Sequence, residues 1–458
     1  MMDRRAFLYG TVASIGTALM FTPARSDSTA RIELADLRGS LAGGDAAYAP
    51  SGNGDQSAMM QQAMDRAAAA GKPLYLPPGR YELSNVVLPS RLKLVGVPGE
   101  SRLVYTGGGT LLTAVGGSSI GLDGIVLDGA NRALDDGVPA LLHLSGVSDL
   151  SMTRCEVVGS SRHAVALEKV SGSLTANRIT GAREAGLWSV DARGLEIAGN
   201  TVSDCGDGGI LVHRWEAGED GTIVARNRVE RIEARSGGTG QNGNGINVFR
   251  AGGVIVSDNR VADCAFSAIR SNSGSNVQIT GNQCLRSGET AIYSEFGFEG
   301  ALIASNVVDG ASVGISVANF NEGGRLAVVS GNIVRNLRHG APYPDEYGLD
   351  FGIGISVEAD TTVSGNVIDG APSVAILMGW GPYLRNVVAS GNMIRDAEVG
   401  IGVSVVEGAG SVVISGNVIS DVRSGAVRGM RWAEFQTGDL ALGETRFPHV
   451  TVSENSLG

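Results

Sequence analysis

Short apolar stretches return along this chain at a nearly constant interval, each alternating with period two and each broken by Gly or Asn. The phrase "LEIAGNTVS" recurs as "VQITGNQCL", "LAVVSGNIV", "TTVSGNVID", "VVASGNMIR" and "VVISGNVIS". Its anchors are Asn177, Asn200, Asn227, Asn259, Asn282, Asn306, Asn332, Asn366, Asn392, Asn417 and Asn455, with Cys155 in the same place one coil earlier. Two residues after each anchor, and three before it, every position is apolar: Ile179, Val202 and Val229 open the first series, Leu174, Ile197 and Val224 the second. A second phrase, "GIxV", returns between anchors at Gly209, Gly245, Gly314, Gly354 and Gly400. Each coil is therefore predicted to hold about three short strands with Gly or Asn at the corners. One such coil cannot bury its apolar side. Stacked coils can, because each pairs its backbone with the coils above and below at a spacing of about 4.8 Å. The pattern predicts an all-β, single-stranded parallel β-helix of about 13–15 coils. The Asn residues are expected to take the left-handed backbone of a corner and to bond amide to amide between coils, as a ladder that fixes register.

Upstream the period changes. Met60, Ala63, Met64 and Ala67 recur at helical spacing after Asp55, a capping residue, and before Gly71 and Pro73. A helix here would cap the first coil. Composition agrees: 68 Gly in 458 residues and 5% aromatics suit stacked strands rather than a large aromatic core. The formal charge of −11 leaves no basic field for phosphate backbones, so nucleic acid is not an expected partner. Cys205 and Cys264 share a column but stand two coils apart, about 9.6 Å, too far for a disulfide.

The start Met2-Asp3-Arg4-Arg5-Ala6-Phe7-Leu8, followed by an apolar run to Phe21 and by Thr22-Pro23-Ala24, resembles a twin-arginine export signal. That resemblance implies a signal over 1–26, a linker over 27–44 and a β-helix domain over 45–458. It also implies the twin-arginine export machinery as a partner, a periplasmic or secreted location, and no stable membrane span once the signal is removed. The order of helix, "LYLPPGRY" and "LDGIVLDG" resembles the start of the pectate-lyase-like superfamily of right-handed β-helices, which implies the right-handed sense. Joined to the twin-arginine start, the repeats also resemble a family of exported repeat proteins with no assigned activity.

Candidate chemistry lies on the "GIxV" strand, whose outward positions form two columns. One reads Ala166, Trp188, Leu211, Asn247, Arg270, Tyr293, Ser316, Ser356, Leu377 and Gly402; the other reads Glu168, Val190, His213, Phe249, Asn272, Glu295, Ala318, Glu358, Gly379 and Ser404. Three insertions, before Gly245, before Gly354 and from Arg423 to about Pro448, leave from one edge. The first two are four coils apart, about 19 Å, and are expected to wall a groove over the coils between them. In the resembled superfamily this face holds polysaccharide. The catalytic candidates are Glu295, Tyr293, Arg270, Glu358 and His213, and the substrate contacts are Asn247, Phe249, Asn272, Trp215 and Trp380. Uronate elimination or epimerisation would use Tyr293 as base or acid with Arg270 and Asn272 holding the negative charge. Hydrolysis would use Glu295 and Glu358, since glycosidases place two carboxyls about 5–9.5 Å apart. The Asn-Thr-Asp and Arg-Ile-Lys signatures of polygalacturonases are absent, as is the Asp-Pro-His-Asp signature of mannuronan epimerases. A non-catalytic glycan-binding or cell-envelope scaffold protein is the alternative. No cofactor or metal is assigned; calcium is a secondary candidate at Asp345, Glu346 and Asp350 near Glu358, where loop solubility explains the acids equally well.

Overall fold

The computed structural model describes residues 54–344, 348–443 and 447–458. The export-signal segment 1–26, the linker 27–44 and the acids Asp345 and Glu346 lie outside them. The chain winds through about 14 turns of a parallel β-solenoid. One sheet holds 15 strands, and from Gly172–Thr175 onward each is the segment before an Asn anchor. A second, of 28 strands, joins the other two rows, because strands such as Val367–Met378 and Met393–Ser404 run unbroken around the corner between them.

Register follows the repeat. Leu174, Ile197 and Val224 pair in series, as do Ile179, Val202 and Val229. All are buried, and the inward columns form one continuous core along the axis. Each buried aliphatic side chain adds about 1.5–3 kcal/mol of transfer free energy. Cys205 and Cys264 are separated by Ile232 in their column, two coils apart as the repeat requires.

The corners differ from expectation in one respect. The left-handed residue is the one before each Asn, for example Gly199 (φ 66°), Asp258 (φ 56°) and Ser305 (φ 58°), and the Asn itself is not left-handed. That preceding turn aims the Asn side chain inward, where it forms the ladder. The Oδ1 of Asn306 accepts the N–H of Asn282 at 2.9 Å and its Nδ2 at 3.0 Å, and the same pattern runs from Cys155 to Asn455. Each Nδ2 also donates to a carbonyl one coil back, such as Asn306 to Ile279 at 2.9 Å. No amide in the interior of the stack is left without partners.

Both ends of the spiral would expose unpaired strand edges. At the start, the helix Ser57–Ala70 buries Met60, Ala63, Met64 and Ala67 on the first coil and ends at left-handed Gly71. The Asp55 carboxylate accepts the N–H of Ser57 at 2.9 Å. Gln61 pairs both ways with the backbone of Val87 at 2.8 Å, closing part of the open edge. At the other end the third insertion turns back: Glu434–Asp439 pairs antiparallel with Val427–Arg431. A strand of opposite direction blocks further stacking on that row.

Candidate functional site

The two outward columns are in register as read. Asn247, Arg270, Tyr293, Ser316, Ser356 and Leu377 pair in sequence, and so do His213, Phe249, Asn272 and Glu295. The insertions do not stand as two separate walls. From the second, Tyr343 reaches back to donate its hydroxyl to Glu289 Oε1 at 2.5 Å and stacks on Phe266 at 6.3 Å between centroids. Arg338 donates to the carbonyls of Ser287 and Gly288. From the first, the Gly240 carbonyl accepts Arg270 Nη1 at 2.9 Å. The two loops converge over the adjacent coils that carry Arg270 and Glu289, because each finds a buried polar partner there.

What remains open is a cavity of about 750 Å³ displaced toward the C-terminal coils. Its floor is Tyr293, Ser316, Ser356, Leu377 and Glu358. Its walls carry Tyr343, Phe351, Trp380, Tyr383 and Trp432. The Trp380 and Trp432 rings meet edge to face at 5.8 Å. Trp432 lies directly over Gly381, where a Cβ would sit 2.3 Å from the indole, so glycine is required for this wall.

Of the residues expected from the sequence, Arg270, Tyr293, Glu358 and Trp380 line this cavity. Glu295 and Asn272 do not. Glu295 is 2% exposed and takes Arg270 in a two-pronged ion pair at 2.6 and 3.0 Å, with Asn272 Nδ2 on the same carboxylate at 2.9 Å. A carboxylate so engaged orients Arg270 and has no route to substrate. Asn247 is buried beside this network, its Oδ1 without a hydrogen-bond partner.

His213, Phe249 and Trp215 form a separate aromatic group two coils toward the N-terminus. Trp188 Nε1 donates to His213 Nδ1 at 3.3 Å, Phe249 meets His213 edge to face at 5.6 Å, and Trp215 meets Trp188 at 6.1 Å. Burial, with His163 nearby, pushes the His213 pKa down to about 4, so the ring is neutral near pH 7. It packs rather than shuttles protons to the cavity.

Electrostatics separate the acids. Burial raises the Glu358 carboxyl to about 7, against the lowering effect of backbone N–H groups such as that of Phe320, which reaches Oε2 at 2.6 Å. Glu289, absent from the expected set, lines the cavity with its pKa raised by burial and opposed by Arg270 and the Tyr343 hydroxyl. Tyr293 is pushed above its ordinary value by burial and by the carboxylates of Glu295 and Glu289, while Arg270 stacks over its ring at 5.0 Å. A phenol held that way resists acting as a base. Glu289 stands just before the strand Thr290–Glu295, outside both outward columns, so column reading passed over it; Tyr343 and Trp432 sat in insertions whose direction the repeat does not encode. Among the described residues no group of three or more His, Cys, Asp or Glu is placed to hold a metal ion, and Asp350 lies 3.4 Å from His339.

The A-module of the Azotobacter vinelandii mannuronan C-5 epimerase AlgE4 is similar at 14% identity, over 90% of this chain and 99% of that one, with a TM-score of 0.48. The surface adhesin PfbA of Streptococcus pneumoniae is similar at 14% identity, over 87% and 94%, with a TM-score of 0.42. The catalytic unit of an α-1,3-glucanase from Streptomyces thermodiastaticus is similar at 14% identity, over 92% and 69%, with a TM-score of 0.38. No curated protein matches the chain. No helix among the described residues is long and apolar enough to cross a membrane. A family model described as "Right handed beta helix region" matches residues 139–322 and 217–392, together more than half of the chain. The chain belongs to the right-handed β-helix family.

Proposed function

We propose that this protein binds a neutral linear polysaccharide or oligosaccharide in the aromatic-walled cavity and hydrolyses it, with Glu358 as the proton donor. The observation that carries this reading is a carboxyl of raised pKa on the floor of a cavity walled by Trp380, Trp432, Tyr383 and Tyr343. Aromatic faces suit sugar rings, and a few convergent polar groups fix their orientation. As the glycosidic bond breaks, Glu358 passes its proton to the leaving oxygen. Water then adds to the anomeric carbon and gives up a proton to the Glu358 carboxylate, which restores the acid.

Uronate chemistry is less well supported. Arg270 is the only Lys, Arg or His among the cavity-lining residues, and its charge is met by Glu295 and Glu289. A sugar carboxylate would therefore find no unpaired cation there, and Tyr293 is a poor base. The twin-arginine-like start supports an exported site of action, periplasmic or secreted.

The test is a screen of neutral glycans for new reducing ends, followed by Glu358→Gln. Turnover should fall by at least about 100-fold while binding persists, because general acid catalysis contributes that order of rate. Turnover in the native protein should also fall as pH rises through about 7, where Glu358 loses its proton. Binding without turnover in the native protein would support the non-catalytic glycan-binding or scaffold alternative instead.

A further inference from the structure

We infer that the glycan chain extends out of the cavity along a track of exposed aromatics at the end of the "GIxV" strand row, through Phe296 to Trp215; this rests on the cavity being a glycan site. In the paired rows, His213 aligns with Phe249, Asn272 and Glu295, and the neighbouring column runs from Ser294 through Val317 and Val357 to Met378, which puts Gly379 in register with Glu295. Trp215, Phe296 and Trp380 each stand one or two residues past this column, at the same edge. The coil holding Trp215 is three coils from that of Phe296, which is three coils from that of Trp380. The steps are therefore about 14 Å each.

These side chains are held out rather than left over. Trp215 lies in the excursion Arg214–Ala217, extra residues that the neighbouring strand lacks. That excursion is pinned on both sides: Asp191 Oδ1 accepts the Trp215 N–H at 3.3 Å, and Arg250 Nη1 donates to its carbonyl at 2.8 Å. The residue is nevertheless 59% exposed. Phe296 is 40% exposed and has φ 60°, with its N–H held by Asn319 Oδ1 at 3.1 Å. Left-handed corners are common in this fold, but a bulky aromatic at one is costly. Among the described residues only Phe296, Phe351 and Trp432 are aromatic and left-handed. Two of these line the cavity, and the third stands on the track. A chain of about six pyranose units would span the full distance, about 29 Å, from Trp380 to Trp215.

The experiment titrates the full chain with cello-, xylo-, manno- and maltooligosaccharides of two to eight units. For the series that binds, affinity should rise by at least about tenfold between short and long members, since each aromatic platform buries substantial ring area. Trp215→Ala and Phe296→Ala should each remove most of that gain and leave di- and trisaccharide affinity unchanged, which also shows that the variants are folded. Trp380→Ala should weaken every length. Length-independent binding, or equal losses for short and long ligands in Trp215→Ala and Phe296→Ala, would overturn the track while leaving the cavity reading intact. Absence of binding at any length in all four series would overturn both.

Discussion

Replacing Asn306 by Ala is expected to cost about 4 kcal/mol of stability, because buried donors and acceptors stripped of partners cost about 1–3 kcal/mol each. The amide is 1% exposed and serves two neighbours at once. Its Oδ1 takes both donors of Asn282, and its Nδ2 donates to Ile279 O and Asn332 Oδ1. Alanine leaves these groups facing one another across a dry space. Asn455→Ala should cost only about 1 kcal/mol, since that amide ends the ladder and is half-exposed, so water replaces the lost partner. Chemical unfolding of the two variants checks the difference. Equal losses would mean that the amides fill space rather than fix register.

Glu295→Ala is expected to cost about 3–5 kcal/mol, the range for removing one partner of a buried ion pair. Arg270, itself buried, would keep the Gly240 carbonyl, the more distant Glu289 oxygen at 3.5 Å and the face of the Tyr293 ring, none of which replaces a two-pronged carboxylate. The double replacement Arg270→Met with Glu295→Leu should recover much of the loss, because a buried pair replaced by apolar residues of similar volume is often neutral in stability. In a solenoid each coil contacts only its neighbours, so the damage stays local. Faster amide hydrogen exchange in the coils spanning about residues 260–310, with the terminal coils unchanged, is the expected signature. Unchanged exchange there would show that Glu295 is not the organising partner of Arg270.

Different parts of this molecule were legible in the sequence to different degrees, for physical reasons. Columns such as Leu174, Ile197 and Val224 were readable because a stacked coil forces like residues into line, and that constraint repeats eleven times. The Asn ladder followed from the same periodicity. Which corner residue turns left-handed did not, since Gly, Ala, Arg, Asp and Ser all occupy the place before Asn; the turn is imposed by the stack rather than chosen by the residue. The site was legible only in part. Arg270, Tyr293 and Glu358, which line the cavity, stood out in the sequence because they interrupt the columns with chemistry no ladder needs. Glu295 stood in the same columns, yet its role was hidden: sequence shows that an acid neighbours an arginine, not that the two loops bury the pair. The same loops determine why the cavity lies over Ser316 and Ser356 rather than over Asn272, and their fold depends on single contacts such as Tyr343 to Glu289. No repeat records such contacts.

An uncharged sugar chain is expected to occupy the cavity beside Glu358. Calorimetric titration of the full chain with neutral oligosaccharides and with uronate oligomers of equal length separates the two ligand classes. Neutral binding should be at least about tenfold tighter, a difference of about 1.4 kcal/mol, and Trp380→Ala should weaken it. Tighter binding of the uronates, or neutral binding that survives Trp380→Ala unchanged, would contradict that expectation.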